Sequence, residues 1–310
     1  MLGRTQNAGC DQPSNLQVSD LALIPAMPSA GYHHSVLLKS DGSAIAAGNN
    51  HYAQCNIPPL DEGMAYTQIS AGGAHTVLLR SDGRVVAIGY NEDGQCDIPP
   101  LDEGVVYSQT SAVESHTVLL RSDGNAVAIG WNLFGQCDIP PLDEGMAYAQ
   151  ISAGGAHTVL LRSDGRVVAI GCNEDGQCDI PPLDEGVVYS QTSAGQSHTV
   201  LLRSDGNAVA IGRNLFAQCN IPPLDEGMAY TQISAGGAHT VLLRSDGRAM
   251  KMVNATSHLW MRELCIPRLL LARFIQCFSG VMAMLLPSDG ICLDNATFRW
   301  QSQEFGTLAI

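Results

Sequence analysis

A repeat of 41 residues runs through most of the chain and constrains its fold more than any other feature. Six histidines recur at this interval, each followed by a Ser-Asp-Gly, and five cysteines recur with them, each followed by x-Ile-Pro-Pro-Leu. These repeated residues, called the ring histidines and ring cysteines below, are His34, His75, His116, His157, His198, His239, Cys55, Cys96, Cys137, Cys178 and Cys219. Self-similarity at a fixed period of about 40 residues is the signature of stacked units or of propeller blades.

A second period of 82 residues lies over the first. Residues 64–145 and 146–227 differ at only seven positions, whereas neighbouring 41-residue units differ more. The seven pairs are Thr67/Ala149, Tyr90/Cys172, Val113/Gly195, Glu114/Gln196, Trp131/Arg213, Gly135/Ala217 and Asp138/Asn220. A duplicated pair of units is the simplest history of this pattern.

One unit shows how the repeat is expected to fold. Residues 75–79 and 84–88 are rich in β-forming residues. Between them stands Ser81-Asp82-Gly83, and Asp-Gly is a pair that tight hairpin turns prefer. Both segments are apolar at consecutive positions, which is typical of a strand with both faces buried. The pattern predicts sheets that are stacked between two other sheets.

The rest of the unit predicts a four-stranded sheet. Pro99 and Pro100 cannot donate backbone hydrogen bonds and belong at an edge or in a loop. Residues 105–111 predict a third clear strand, and residues 96–98 predict a short fourth one. Four strands in 41 residues are typical of a β-propeller blade, and no window shows the apolar spacing of a helix.

The chain ends carry degenerate copies of the repeat, and counting them gives seven units. We therefore expect one all-β domain over residues 1–310, with regular repeats at 30–248 and closing segments at 1–29 and 249–310. One blade would be split between the chain ends, pairing residues 291–298 with residues 3–16. Ring closure of this kind removes exposed sheet edges.

The repeat resembles that of the regulator of chromosome condensation family. The residues that carry the resemblance are Ala71-Gly72-Gly73-Ala74-His75-Thr76 and Gly89-Tyr90-Asn91-Glu92-Asp93-Gly94-Gln95. The resemblance implies a seven-bladed β-propeller but no single function. The family includes an exchange factor for a small GTPase on chromatin, a UV-B photoreceptor, ubiquitin ligases and an enzyme inhibitor. It therefore implies a protein partner, with a small GTPase or the ubiquitin machinery as the candidates.

Neither the histidines nor the cysteines predict a metal or redox site. Histidines on successive blades lie far apart, whereas metal ligands stand about 2 Å from the ion, so we expect each to bond to a neighbouring turn. No Cys-x-x-Cys pair occurs, and the ring cysteines are expected to be small buried apolar residues. Cys172, Cys277 and Cys292 lie outside the ring and receive no role. We expect no catalytic residue, no metal and no cofactor.

Charge and composition limit the partners. The formal net charge is -14 and only two lysines are present, which argues against direct nucleic-acid binding because that function uses a basic patch. Residues 264–287 are apolar, but Arg268, Arg273 and Gln276 within them are costly in lipid. We expect no membrane association, a cytoplasmic or nuclear location, and a monomer.

The positions that vary between repeats predict a partner-binding face. Antiparallel pairing of the two hairpin strands places the loop before each histidine beside the Gly-x-Asn segment, opposite the Ser-Asp-Gly turns. The predicted face comprises Tyr32, His33, Tyr90, Glu114, Trp131, Gln196 and Arg213. The leading hypothesis is a non-enzymatic binding platform or adaptor. The alternatives are a regulatory propeller of nucleotide-exchange or ubiquitin-ligase type, and an enzyme with a site at the propeller axis.

Overall fold

Each 41-residue unit folds into three β-strands in the computed structural model of the chain, which describes residues 27–252. None of these residues forms a helix that could span a membrane. The strands are β1 (Met27–Ala30), β2 (His34–Leu38), β3 (Ala44–Gly48), β4 (Tyr66–Ala71), β5 (His75–Arg80), β6 (Val85–Gly89), β7 (Tyr107–Val113), β8 (His116–Arg121), β9 (Ala126–Gly130), β10 (Tyr148–Ala153), β11 (His157–Arg162), β12 (Val167–Gly171), β13 (Tyr189–Ala194), β14 (His198–Arg203), β15 (Ala208–Gly212), β16 (Tyr230–Ala235), β17 (Thr240–Arg244) and β18 (Ala249–Met252).

These strands form six antiparallel sheets of three consecutive strands each, which we call blades 1 to 6. The inner strands β1, β4, β7, β10, β13 and β16 line a common central channel. The middle and outer strands of each blade follow them outward in chain order. The prediction of an all-β propeller is confirmed.

The number of strands in a blade differs from the prediction. Residues 96–98 were expected to form a short fourth strand, but they adopt turns without a sheet partner, and Ile98 N donates to Cys96 O at 2.9 Å. Pro99 and Pro100 follow and have no N–H to donate to a ladder, so the segment cannot extend into a strand. The split closing blade of residues 3–16 and 291–298 lies outside the described residues.

The Ser-Asp-Gly turns form the hairpins that the sequence predicted. Arg80 N donates to Arg84 O at 2.8 Å, and Gly83 N donates to Arg80 O at 2.9 Å. Gly83 has a φ of 76°, in the left-handed region that glycine tolerates best. The loop therefore has three residues with glycine closing the turn, which is a common hairpin geometry.

The hydrophobic core lies between successive blades. Val77 and Leu79 of blade 2 pack against Tyr107 and Leu119 of blade 3, and equivalent clusters recur along the ring. Leu78 points to the other side, into the cluster with blade 1. The middle strands are thus buried on both faces, as predicted, and each fully buried leucine contributes about 2 kcal/mol.

Polar side chains join the blades at the same interfaces. Ser70 Oγ accepts a hydrogen bond from Ala112 N at 2.8 Å, and Gln68 exchanges two hydrogen bonds with the backbone of Thr110, at 2.9 and 3.1 Å. The serine contact recurs at every junction between described blades, from Ser29 onward. These contacts fix each inner strand to the next and make the propeller a firm support for its loops.

Candidate functional site

The strand register places two sets of loops at one end of every blade. His75 pairs with Gly89 across the hairpin, and Tyr90 N donates to Ala74 O at 2.9 Å. We call the inner loops those before each repeat histidine and the outer loops those after each outer strand, and together they form the upper face. Inner loops are residues 31–33, 72–74, 113–115, 154–156, 195–197 and 236–238; outer loops are residues 49–56, 90–97, 131–138, 172–179 and 213–220. The Ser-Asp-Gly turns lie on the opposite, lower face, as the sequence predicted.

Three of the predicted face residues meet at the centre of the upper face. The hydroxyl of Tyr32 in blade 1 and the amide Nε2 of Gln196 in blade 5 both donate to Glu114 Oε1 in blade 3, the second at 3.1 Å. Burial and the bond to Glu114 raise the pKa of Tyr32 above its usual value. These hydrogen bonds connect alternate blades across the mouth of the central channel.

The other predicted residues lie in the outer part of the upper face. The Tyr90 ring stands 5.0 Å from the ring of Tyr52, and its hydroxyl donates to Glu92 at 2.9 Å. Trp131 contacts the ring of Phe134 edge-on at 5.4 Å.

Arg213 is exposed in a further outer loop, and His33 packs beside the Tyr32 ring at 6.4 Å. Tyr32, Glu114 and Gln196 are therefore in direct contact. Tyr90, Trp131 and Arg213 lie in three separate outer loops around them.

Exposed apolar side chains that the sequence analysis did not select also belong to this face. Leu133 is 73% exposed and Leu215 is 68% exposed, and Phe134 and Phe216 beside them are also exposed. Their signal was the Asn-Leu-Phe segment that replaces Asn-Glu-Asp in alternate outer loops. In blades 2 to 5 the outer loops thus alternate between acidic and apolar tips, whereas the outer loop of blade 1 carries His51 and Tyr52.

A repeated asparagine fixes the backbone of these loops. Asn91 Oδ1 accepts a hydrogen bond from Cys96 N at 2.7 Å, while its Nδ2 donates to Asp97 Oδ1 at 2.8 Å. The same pair of contacts recurs in the outer loops at Asn50, Asn132, Asn173 and Asn214. The loop tips are therefore presented by an ordered frame that does not depend on a partner.

The ring histidines hold adjacent blades together. His75 Nε2 lies 2.9 Å from Thr117 Oγ1 on the middle strand of the next blade, and Thr117 Oγ1 donates to Gln95 O at 2.9 Å. The prediction placed the histidine partner in a turn, but the partner is a strand threonine because the ring points across the blade interface. Burial lowers the histidine pKa values, to about 3 for His116 and His157 and about 4 for His75 and His198. They are neutral structural side chains at neutral pH.

The ring cysteines are less buried than predicted. They are partly exposed because they lie in the outer loops rather than between the sheets. Cys96 Sγ contacts Tyr90 O at 3.5 Å. Burial raises the pKa to about 11 for Cys96, Cys137, Cys178 and Cys219, so these thiols stay protonated. Within residues 27–252, no group of three or more His, Cys, Asp or Glu side chains is placed to hold a metal ion. Cys277 and Cys292 lie outside the described residues, and Cys172 has no evident role.

The central channel has a volume of about 650 Å³. Its walls carry serine and threonine hydroxyls, glutamine amides and apolar side chains from all six inner strands. Many of these polar groups already bond to the neighbouring blade, as Gln68 and Ser70 do. Among the described residues, no titratable side chain lines it, so the walls offer no general acid or base.

The lower face is organised by ion pairs that the sequence analysis missed. Arg121 Nη2 stands 2.7 Å from Asp102 in the Asp-Glu-Gly turn and 2.7 Å from Asp123 in the Ser-Asp-Gly turn. The arrangement recurs at Arg80, Arg162, Arg203 and Arg244. The signal was the recurrence of arginine at the 41-residue interval. Solvent-exposed pairs of this kind contribute little each, about 0–1 kcal/mol, and mainly join two turns.

Comparison with known proteins supports the repeat assignment. The family model of the regulator of chromosome condensation (RCC1) repeat matches residues 66–95 and 148–177. Each match runs from an inner strand to the outer loop after the outer strand, which is one blade. The chain therefore carries regulator of chromosome condensation repeats, as the resemblance implied. A comparison with curated protein sequences gives no significant match.

Solved structures share the fold at low sequence identity. Human WBSCR16 is 18% identical with a TM-score of 0.65, covering 77% of this chain and 81% of that chain. Prp20p of Saccharomyces cerevisiae, described with its binding to Gsp1p and histones, is 20% identical with a TM-score of 0.62, covering 72% and 70%. The ectodomain of the Physcomitrella patens receptor kinase CR4 is 18% identical with a TM-score of 0.60, covering 74% and 64%. At these identities the likeness shows the fold.

Proposed function

Since the chain carries regulator of chromosome condensation repeats in a β-propeller, we propose that it is a non-enzymatic protein-binding platform. It engages a partner protein through the upper face and acts as a monomer in the cytoplasm or the nucleus. The propeller supplies a rigid support, and the inner and outer loops supply the contacts.

The location of sequence variation carries this proposal. Of the seven positions that differ between residues 64–145 and 146–227, five lie in upper-face loops, Val113/Gly195 lies where an inner strand meets its loop, and Thr67/Ala149 lies in inner strands. Changes in size and charge, such as Trp131/Arg213, fall outside the buried interfaces between blades. Loops on a rigid scaffold are the usual place for binding residues.

The chemistry of the exposed side chains agrees with a protein partner. Tyrosine, tryptophan and arginine dominate binding hot spots, and the upper face presents the exposed Tyr32 and Arg213 and the partly exposed Trp131. Leu133 and Leu215 add exposed apolar surface beside them. Exposed apolar side chains next to a candidate hot-spot residue, Leu133 in the loop of Trp131 and Leu215 in the loop of Arg213, are consistent with an interaction site.

A second candidate is a regulatory propeller of nucleotide-exchange type. The fold similarity to Prp20p, which is described as binding Gsp1p, favours it over the ubiquitin-ligase alternative. In this case the partner would be a small GTPase. The third alternative, an enzyme at the propeller axis, gains no support from the channel, because its described walls carry no titratable group.

A pull-down from cell extract tests the proposal. The double variant Trp131→Ala and Arg213→Ala should lose at least about tenfold in partner capture, the typical effect of removing hot-spot residues. Its melting temperature should stay within about 2 °C, because both side chains are in loops. Mass spectrometry of the captured protein separates a small GTPase from ubiquitin machinery or another partner.

A matched control comes from the lower face. Arg84→Ala with Arg166→Ala removes two side chains that are each 80% exposed and only weakly paired. This control should bind like the wild type. Full capture by the upper-face variant, or equal loss in both variants, would contradict the proposal.

A further inference from the structure

The residue two places before each ring histidine alternates between a side chain and glycine around the upper face. The six residues in blade order are Tyr32, Gly73, Glu114, Gly155, Gln196 and Gly237. A Cβ placed on Gly155 would lie 3.0 Å from Glu114 Oε1 and 2.5 Å from Gln196 O. The Glu114 side chain therefore extends over blade 4, and the glycines leave the space in which the three side chains meet.

The backbone at Glu114 is held in an unfavourable conformation. Its φ is 47°, in the left-handed region that residues with a Cβ rarely adopt. The cause is local: Val113 replaces the glycine of the other units and extends β7 to pair with His116, which leaves Glu114 and Ser115 as a two-residue hairpin loop. Such a conformation costs on the order of 1 kcal/mol. The Glu114 carboxylate is thus held between Tyr32 and Gln196 even though the backbone of Glu114 adopts an unfavourable conformation.

The charge of Glu114 has no cationic partner among the described residues. Its Oε1 accepts from two neutral donors, Tyr32 and Gln196, whereas no described residue donates to Oε2. The ion pairs between arginine or lysine and aspartate in the described blades join turns of the lower face. A partly buried carboxylate with one oxygen fixed and the other open presents an oriented acceptor for a charged donor.

The surrounding loops carry the same sign of charge. The described upper-face loops contain eight carboxylates against one arginine, Arg213. The carboxylates are Glu92, Asp93, Asp97, Glu114, Asp138, Glu174, Asp175 and Asp179. Such a field attracts a basic segment and speeds its encounter with the face.

We propose that Glu114, held by Tyr32 and Gln196 at the mouth of the channel, receives an arginine or lysine side chain from the partner protein. The proposal rests on the protein-binding function above and deepens it, because it assigns the partner a basic segment. The cation forms a charge-assisted hydrogen bond with Oε2, while Tyr32 and Gln196 keep Oε1 in place.

The test measures binding of a fluorescein-labelled arginine heptapeptide by anisotropy at low salt, in wild type and in two charge-matched variants. Glu114→Gln should weaken binding about tenfold, because a hydrogen bond to a charged group is lost at the site. Glu144→Gln removes one charge from an exposed lower-face turn and should change binding by less than about twofold. Equal weakening by both variants would reduce the effect to net charge and overturn the proposal, as would unchanged binding by Glu114→Gln.

The Glu114→Gln variant should fold normally, because glutamine stands at the equivalent position 196 in the same repeat. A third variant, Tyr32→Phe, keeps the charge and removes one donor to Oε1, so it should weaken peptide binding by about threefold with no change in net charge.

The pull-down separates this proposal from the proposed function. Partner capture that is lost by the Trp131 and Arg213 double variant but kept by Glu114→Gln would refute the cation site alone. Capture that survives the double variant would refute the upper face as the binding surface.

Discussion

Acidification should destabilise the propeller within a defined pH window because the ring histidines are buried without charge. Burial lowers the pKa to about 4 for His75 and His198 and to about 3 for His116 and His157. An unfolded histidine has a pKa near 6.5. As the pH falls below about 6.5, the unfolded chain therefore takes up protons that the folded chain cannot bind, and stability falls until the pH reaches the folded values.

The expected slope follows from the number of protons. One proton difference changes the free energy of unfolding by about 1.4 kcal/mol per pH unit. Four histidines therefore give about 5 kcal/mol per pH unit between about pH 6 and pH 4. Since domains of this kind have a total stability of about 5–15 kcal/mol, the fold should be lost inside this window. Carboxylates whose pKa is lowered, such as Asp123 and Asp205, titrate below it.

Urea unfolding at pH 7.5, 6.0, 5.5 and 5.0, followed by circular dichroism, measures the slope directly. His116→Gln keeps a nitrogen that can bond to the threonine of the next blade but removes one titrating group. Its slope should be lower by about 1.4 kcal/mol per pH unit. A free energy of unfolding that is constant between pH 7.5 and 5, or a slope that this variant leaves unchanged, would show that the buried histidines do not control the acid stability.

Three further predictions concern the framework of the propeller. Thr117→Val should lower the free energy of unfolding by about 2–4 kcal/mol, because it removes the hydrogen bonds to a buried histidine and to a backbone carbonyl. Ser108→Ala loses a single, part-buried hydrogen bond to Leu120 O and should cost less than about 1 kcal/mol; equal costs of the two variants in urea unfolding would contradict this. Gly130→Ala should lower the free energy of unfolding by more than about 3 kcal/mol, because its Cβ would stand 2.4 Å from a backbone oxygen. Gly104→Ala has open space around its Cβ and should cost only about 1 kcal/mol, from its positive φ. Thermal melts of both variants measure this difference. The thiols with a pKa near 11 should resist iodoacetamide at pH 8 in native protein and react after unfolding, and site-resolved mass spectrometry showing rapid native labelling would disprove their protonated state.

The repeat period determined most of what could be predicted about the fold. Apolar runs such as residues 75–79 indicated strands buried on both faces, and the middle strands have this burial. The Ser-Asp-Gly turns fixed the hairpins and so the register, which placed the histidine loops and the Gly-x-Asn segments on one face. The prediction of a fourth strand at residues 96–98 was wrong, because the two prolines that follow prevent this segment from pairing in a sheet.

The candidate site was predictable in outline only. Composition and register placed Tyr32, Glu114 and Gln196 on the upper face. Their meeting depends on through-space geometry, because these residues are 82 positions apart and belong to alternate blades. The sequence offered one signal for this contact: the residue two places before each ring histidine alternates between glycine and a residue with a longer side chain. The burial of the cysteines was overestimated, since the repeat pattern does not distinguish a loop position from a position between sheets.

Hydrogen–deuterium exchange of the propeller with its captured partner locates the binding surface on the molecule. Binding through the upper face should slow exchange in its loops, at residues 31–33, 113–115, 131–138 and 213–220. The lower-face turns at 61–65 and 122–124 should exchange at the same rate in the free and bound protein. Protection confined to those lower-face turns, with the upper-face loops unchanged, would contradict binding through the upper face.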